Sequence, residues 1–234
     1  MDFWQHFIAI FISLFVITDP FGNIGIFLSI TEGDDASFRR KQAFKGSLYS
    51  FLLMFVFFIG GTYIMEFFGI TLDGVRIGGG LIVSRIGFSL LSPKEENSHS
   101  SDEKQESTKM ADISFCPLAL PLIAGPGALA VVIAASAKIK EGTSGDDWSA
   151  YLAVSLAIAA VSLVTWICLR HSDLLLRVLG VNGMNAITRI MGFLLICIAI
   201  QMMITGADHL LHSWGFISSG AHEAFSQATK HFAF

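Results

Sequence analysis

The chain has 234 residues, of which 53% are hydrophobic and only 15% are charged, and its mean hydropathy is +0.63. This composition excludes an ordinary soluble domain, whose surface needs many more charges, and it indicates a protein embedded in a lipid bilayer. A formal net charge of −4 also argues against nucleic acid as a partner, because binding phosphates requires a basic surface.

Six apolar intervals have about the length that a membrane crossing needs, which is roughly 20 residues. We number them spans 1 to 6, and they cover residues 3–31, 46–65, 75–91, 113–137, 148–169 and 190–207. Residues 92–112, between spans 3 and 4, are rich in Ser, Glu and Lys and predict a flexible charged linker. Residues 212–234 mix aromatic and polar side chains and predict an interfacial tail. The sequence therefore predicts an all-α polytopic membrane protein with six transmembrane helices.

The distribution of basic residues predicts an orientation. Lys and Arg are concentrated in the loops after spans 1, 3 and 5, including residues 39–45, and they are sparser in the other loops. Since short cytoplasmic loops carry the excess of Lys and Arg, we expect these three loops on the cytoplasmic side and both termini outside the cytoplasm.

The two halves of the chain, residues 1–91 and 113–211, contain three spans each and share short sequence words. Asp19-Pro20-Phe21-Gly22 lies in span 1 and Gly125-Pro126-Gly127 in span 4, while Arg-Ile-x-Gly opens span 3 at residue 76 and span 6 at residue 189. Because three is odd, the second copy enters the membrane from the opposite side, as in the inverted repeats of secondary transporters. The alternative is chance recurrence in a chain with 22 glycines.

Prolines mark spans 1 and 4 as broken helices. Four of the chain's five prolines lie in these two spans: Pro20, Pro117, Pro121 and Pro126. Proline has no N–H group, so the carbonyls of Val16 and Leu122 lose their helical partners. Non-helical backbone at membrane depth is tolerated only where it is buried in protein or lines a cavity. We therefore expect the two breaks to line a binding site.

The chemistry of such breaks suits a small zwitterion. The N-terminus of a half-helix attracts a carboxylate, and freed carbonyls accept hydrogen bonds from an ammonium group. The predicted solute-binding residues are Thr18, Asp19, Pro20, Gly22, Asn23, Gly125, Pro126 and Gly127. Asp19 could hold the substrate ammonium, carry a coupling proton, or only cap the second half-helix.

Four polar residues are candidates for coupling or gating: Asp19, Arg76, Arg189 and Gln201. Gln201 has the alternative interpretation of a helix–helix hydrogen bond, and Arg85 lies within snorkelling reach of the nearer membrane face. No His or Cys spacing indicates a metal site, and no activated nucleophile is recognisable. We therefore expect no catalysis, no metal and no cofactor.

Three of these words resemble the MarC family of integral membrane proteins. They are DPFGNI at residues 19–24, PLALPLIAGPG at residues 117–127, and NAITRIMG at residues 185–192 followed by Gln201-Met202. The resemblance covers about residues 1–211 and implies a six-helix protein of the bacterial inner membrane. It further implies transport of small neutral amino acids such as glycine and alanine, coupled to protons. The chain departs from the family pattern at Gly25, where Pro is usual, and at Arg85, where an apolar residue is usual.

Two other functions stay open at this point. The same scaffold could export another small metabolite, or the chain could be a membrane scaffold that transports nothing. The sequence leaves the oligomeric state undetermined.

Overall fold

The computed structural model describes residues 3–91, 112–142 and 148–214, and within these ranges the chain forms helices and turns with no strand. The elements in chain order are α1 (Phe3–Thr18), α2 (Pro20–Ile30), α3 (Ala36–Phe68), α4 (Leu72–Leu91), a π-helical segment (Ser114–Ile123), α5 (Pro126–Gly142), α6 (Trp148–Arg170) and α7 (Ser172–Ser213). The predicted linker and tail fall mainly on residues 92–111 and 215–234, which lie outside the described residues.

The helices account for the predicted spans. Five are long and apolar enough to cross a membrane, with α1 and α2 taken together as Phe3–Ile30. The π-helical segment and α5 supply a sixth when this pair, bent by 65°, is counted as one span. Large apolar side chains such as Val56 and Phe67 are exposed on the outside of the bundle, where a lipid-facing surface places them. The prediction of an all-helical polytopic protein is confirmed.

The connection between spans 5 and 6 differs from the sequence prediction. We expected a basic loop there, but α7 begins at Ser172, directly after α6. Gly180 has φ 66° and ψ 169° and interrupts α7, so residues 172–179 form a short helix of their own. A positive φ is accessible to glycine without strain. Asp173 lies in the first turn of this short helix and pairs with Arg39 at 2.9 Å.

The most extensive interface joins α4 to the second part of α7 in antiparallel fashion. Within it a Cβ atom on Gly87 would lie 2.8 Å from the Gly192 carbonyl oxygen, and one on Gly192 would lie 2.9 Å from the Gly87 oxygen. Small residues of this kind let two helix backbones approach closely in a membrane. Spans 3 and 6 therefore form a tight central pair.

The other helices pack around this pair. α1 packs on α6, while α3 packs on α5, α6 and the π-helical segment. One apolar core includes Leu14, Phe58 and Leu195, and a second includes Phe27 and Leu118.

The bundle has two ends, each with ion pairs. At the N-terminal end, where α1 begins, Lys140 pairs with Glu66 and Arg76 with Asp73. At the distal end, where α3 begins, Lys45 pairs with Asp112 at 2.7 Å. The expectation that the distal end faces the cytoplasm stays a prediction.

Candidate functional site

Span 1 is interrupted at a single residue, Asp19. This residue lies between α1 and α2 with φ 37° and ψ 68°, and among the described residues it is the one non-glycine residue with positive φ. Its side chain is buried, and Oδ1 accepts a hydrogen bond of 3.1 Å from the Gly22 N–H group. Asp19 is thus the N-cap of α2, with Pro20 in the first helical turn. The capping interpretation is confirmed, and a further role in coupling stays a prediction.

The absence of a side chain at Gly22 lets α7 approach this break. A Cβ atom on Gly22 would overlap the Asp19 carboxylate and lie 3.3 Å from Oγ1 of Thr188. Only glycine leaves room for this cap and for the approach of α7. Our sequence prediction did not include Thr188. This residue directly precedes Arg189, where the repeated word begins, and its hydroxyl group could have identified it as a candidate.

Span 4 is interrupted more severely than span 1. Within Ser114–Ile123 the backbone is extended at Cys116 (φ −126°, ψ 127°) and at Leu120 (φ −127°, ψ 122°), and both peptide bonds to the following prolines are cis. Regular helix resumes at Pro126, after the 65° bend. The predicted break is confirmed at residues 124–126, whereas the irregular first half was not expected.

Asn23 connects the two breaks. Its Nδ2 atom donates to the Thr18 carbonyl oxygen at 2.7 Å and to the Leu122 carbonyl oxygen at 3.4 Å. Leu122 is the residue whose carbonyl was predicted to be free, because its helical partner would be Pro126. One buried amide group thus satisfies an acceptor on each side, across 99 positions of sequence.

The Thr18 carbonyl is free for a related reason. In an uninterrupted helix it would accept the N–H group of Gly22, four residues further on. That N–H group instead donates to Asp19. The cap therefore creates the acceptor that Asn23 satisfies. The predicted residues Thr18, Asp19 and Asn23 are buried and form one cluster with the half-buried Gly22.

Gly125, Pro126 and Gly127 lie at the break in span 4, which Asn23 contacts through Leu122. Gly127 is buried, and a Cβ atom there would lie 3.0 Å from Val83 Cγ2 and 3.5 Å from Ile17 Cγ2. Gly125 is half-buried and Pro126 is exposed. Gly127 therefore lets the start of α5 approach α1 and α4 closely.

The remaining predicted residues do not gather at the breaks. Arg189 is exposed beside Thr188. Gln201 is half-buried, and its Nε2 donates to Thr205 Oγ1 at 3.4 Å within α7. Arg76 is buried at the N-terminal end of the bundle, and Arg85 is exposed on α4.

The part of the chain that the structure describes offers little metal-binding chemistry. It contains no group of three or more His, Cys, Asp or Glu side chains placed to hold a metal ion. The polar chemistry at the breaks comes instead from backbone carbonyls, one carboxylate, one amide and hydroxyl groups.

Comparisons with known proteins agree with the sequence words. A family model described as "MarC family integral membrane protein" matches residues 4–211. The inner membrane protein MarC of Salmonella typhimurium is 34% identical over 219 residues, which cover 92% of this chain and 99% of the relative. The protein of the same name from Escherichia coli O139:H28 is 34% identical over 206 residues, covering 86% and 93%. No solved structure matches.

Proposed function

Because the chain belongs to the MarC family of integral membrane proteins, we propose that it is a secondary transporter of small neutral amino acids such as glycine and alanine. It is a multi-pass protein of the inner membrane. The observation that carries the proposal is the buried connection between two broken spans, in which Asn23 donates to carbonyls of both breaks. A protein with a purely structural role gains nothing from interrupting two helices at one place.

The packing supports an inverted repeat as the framework for transport. An in-plane two-fold axis would exchange spans 1 and 4, spans 2 and 5, and spans 3 and 6. The broken spans correspond under this exchange, and spans 3 and 6 pack on each other. The contact of α1 with α6 corresponds to the contact of span 4 with α3. Rocking of one repeat against the other is the movement that we propose.

The cluster at the breaks offers both poles to a zwitterion. Asp19 occupies the N-terminus of α2, which leaves the N-terminus of α5 at residues 125–127 for a carboxylate. The Asp19 carboxylate and the carbonyls of Thr18 and Leu122 suit an ammonium group. Close packing at Gly127 restricts the solute to a small side chain. We propose that Asp19 also binds the coupling proton.

Asn23 supplies the contact that rocking would break. Its hydrogen bond to Thr18 lies within the first repeat and is short, at 2.7 Å. The bond to Leu122 crosses to the second repeat and, at 3.4 Å, is near the geometric limit for a hydrogen bond. Separation of the two repeats therefore breaks one weak hydrogen bond. The ammonium group of the solute then donates to the Leu122 carbonyl in place of Asn23.

Uptake into proteoliposomes tests the proposal. Purified protein should accumulate labelled glycine when a proton gradient is imposed, and excess unlabelled alanine should compete. Asp19→Asn and Gly127→Leu should abolish accumulation without loss of expression, whereas Asp34→Asn, an exposed carboxylate in the turn before α3, should not. Uptake equal to that of protein-free liposomes under gradients of both signs would show the proposal to be wrong.

A competition panel separates this function from its alternatives. An exporter of another metabolite would give little glycine uptake, whereas a different labelled solute would be transported. A scaffold protein would tolerate both Asp19→Asn and Gly127→Leu in its cellular role, because neither residue lies on the surface that a partner would contact.

A further inference from the structure

Thr188 faces the break in span 1 from the other half of the chain. It lies on α7, and its Oγ1 atom would be 3.3 Å from a Cβ atom on Gly22. α7 packs on α2, and Gly22 lies in the first turn of α2. A hydroxyl group of the second half therefore lies beside the cap that Asp19 forms in the first half.

The Thr188 hydroxyl group makes no hydrogen bond within the described ranges of the chain. Thr165 and Thr205, which also lie inside helices, each donate to the carbonyl oxygen four residues earlier. Thr188 has the same option toward the Met184 carbonyl oxygen, but it does not take it. Its side chain is half-buried. One hydrogen-bonding group is thus left over beside the break.

The Asp19 carboxylate lies close to this hydroxyl group. A Cβ atom on Gly22 would be 2.1 Å from Oδ2 of Asp19 and 3.3 Å from Oγ1 of Thr188, so these two oxygen atoms are at most 5.4 Å apart. A charged donor bonds an oxygen over about 2.7–2.9 Å, so one donor atom can bridge two oxygens that are up to roughly 5.6 Å apart. The separation of Asp19 and Thr188 therefore suits a single bridging donor.

We infer that Thr188 is a solute-binding residue and that the ammonium group of the solute bridges it to Asp19. The inference rests on the proposed transport of small neutral amino acids and assigns the ammonium end of the solute to the junction of α2 and α7. An ammonium group has three N–H donors, enough for a carboxylate and a hydroxyl oxygen together. A carboxylate group of the solute would be repelled here by Asp19.

The bridge would join the two halves of the chain through the solute. Asp19 belongs to the first half and Thr188 to the second, and Asn23 already joins the halves at Leu122. A ligand that contacts both halves favours the arrangement in which they lie together. Solute binding would therefore hold α7 against α2.

Thermal unfolding of the full chain in phosphatidylcholine nanodiscs measures glycine binding without transport. A ligand that binds the folded state raises the unfolding midpoint in a saturable way, and glycine should do so. Thr188→Val has nearly the same shape but no hydroxyl group, and it should weaken the apparent affinity for glycine about tenfold, because a hydrogen bond to a charged group is lost. Thr188→Ser keeps the hydroxyl group and should stay within about twofold of the wild type.

Thr205→Val is the matched control. It makes the same change on the same helix, about 25 Å away at 1.5 Å per residue, where the hydroxyl group donates to the Gln201 carbonyl oxygen. It should leave the affinity for glycine unchanged. Thr188→Ala also lacks the hydroxyl group and keeps the test valid if Thr188→Val fails to fold. A purely structural role of Thr188 would lower the midpoint without glycine but would not weaken the affinity.

The outcomes separate this inference from the proposed function. If the wild type responds to glycine and the variants without the hydroxyl group respond equally well, the role of Thr188 is wrong and the proposed function stands. The role is also wrong if Thr188→Ser binds glycine as weakly as Thr188→Val, because side-chain shape would then decide the affinity. A wild type that does not respond to glycine at all would overturn the proposed function together with this inference.

Discussion

The connection through Asn23 makes a quantitative prediction about stability. Asn23→Ala leaves two carbonyls, the buried one of Thr18 and the partly buried one of Leu122, without the donor that they have in the wild type. A buried polar group left unsatisfied costs about 1–3 kcal/mol. The Leu122 bond is long at 3.4 Å and contributes little, so we expect a loss of about 2 kcal/mol, essentially from the Thr18 bond.

The substitution Asn23→Asp separates hydrogen bonding from packing, because an aspartate side chain has nearly the same shape as an asparagine side chain. An ionised carboxylate cannot donate to either carbonyl, so the side chain must take up a proton or leave its place. Protonating an ordinary aspartate at pH 7 costs about 4 kcal/mol, at 1.36 kcal/mol for each unit between pH and pKa. We therefore expect Asn23→Asp to be less stable than Asn23→Ala at pH 7. Its deficit should shrink as the pH falls, because the folded state of this variant binds the proton.

The assay is reversible unfolding of the purified protein in mixed micelles, followed by circular dichroism as the denaturing detergent increases. Asn182→Ala is the matched control, because Asn182 is exposed on α7, and it should change stability by less than about 0.5 kcal/mol. The role of Asn23 as a buried donor is wrong if Asn23→Ala behaves like Asn182→Ala, or if Asn23→Asp is as stable as the wild type at pH 7.

Two further predictions concern the cap and the distal end. Gly22→Ala should lower both stability and glycine uptake, because its Cβ overlaps the Asp19 carboxylate. Gly25→Ala should change neither, since nothing lies within 4 Å of a Cβ there. Equal effects of the two substitutions would contradict this prediction. Hydrogen bonds from Lys45 and Ser114 lower the pKa of Asp112 from 3.8 to about 2. The stabilisation from this lowered pKa is therefore present above about pH 4 and is lost as the pH falls toward about 2. Asp112→Asn should flatten this part of the pH–stability curve measured by thermal unfolding, and an unchanged curve would contradict the assignment.

Sequence patterns predicted the spans and their breaks because these depend on local chemistry. Apolar length fixed the spans, and the missing N–H group of Pro126 identified Leu122 as a carbonyl without a helical partner. The structure places a donor at that carbonyl. The Asp-Pro pair likewise predicted a cap, and Asp19 caps α2.

The remaining features depend on packing between distant parts of the chain. The donor to Leu122 comes from Asn23, 99 residues away, and no local pattern specifies that approach. The same holds for Thr188 beside Gly22 and for Arg76 beside Lys138. Gly180 was one of many glycines in the sequence, and only its backbone angles show that it ends a helix.

Glycine counterflow is the sharpest test of transport, because exchange needs no imposed proton gradient and therefore isolates solute binding and translocation. Proteoliposomes loaded with unlabelled glycine should transiently accumulate labelled glycine from outside, and Gly127→Leu should abolish this accumulation. Labelled glycine that equilibrates in wild-type proteoliposomes as it does in protein-free liposomes would contradict transport of glycine by this protein.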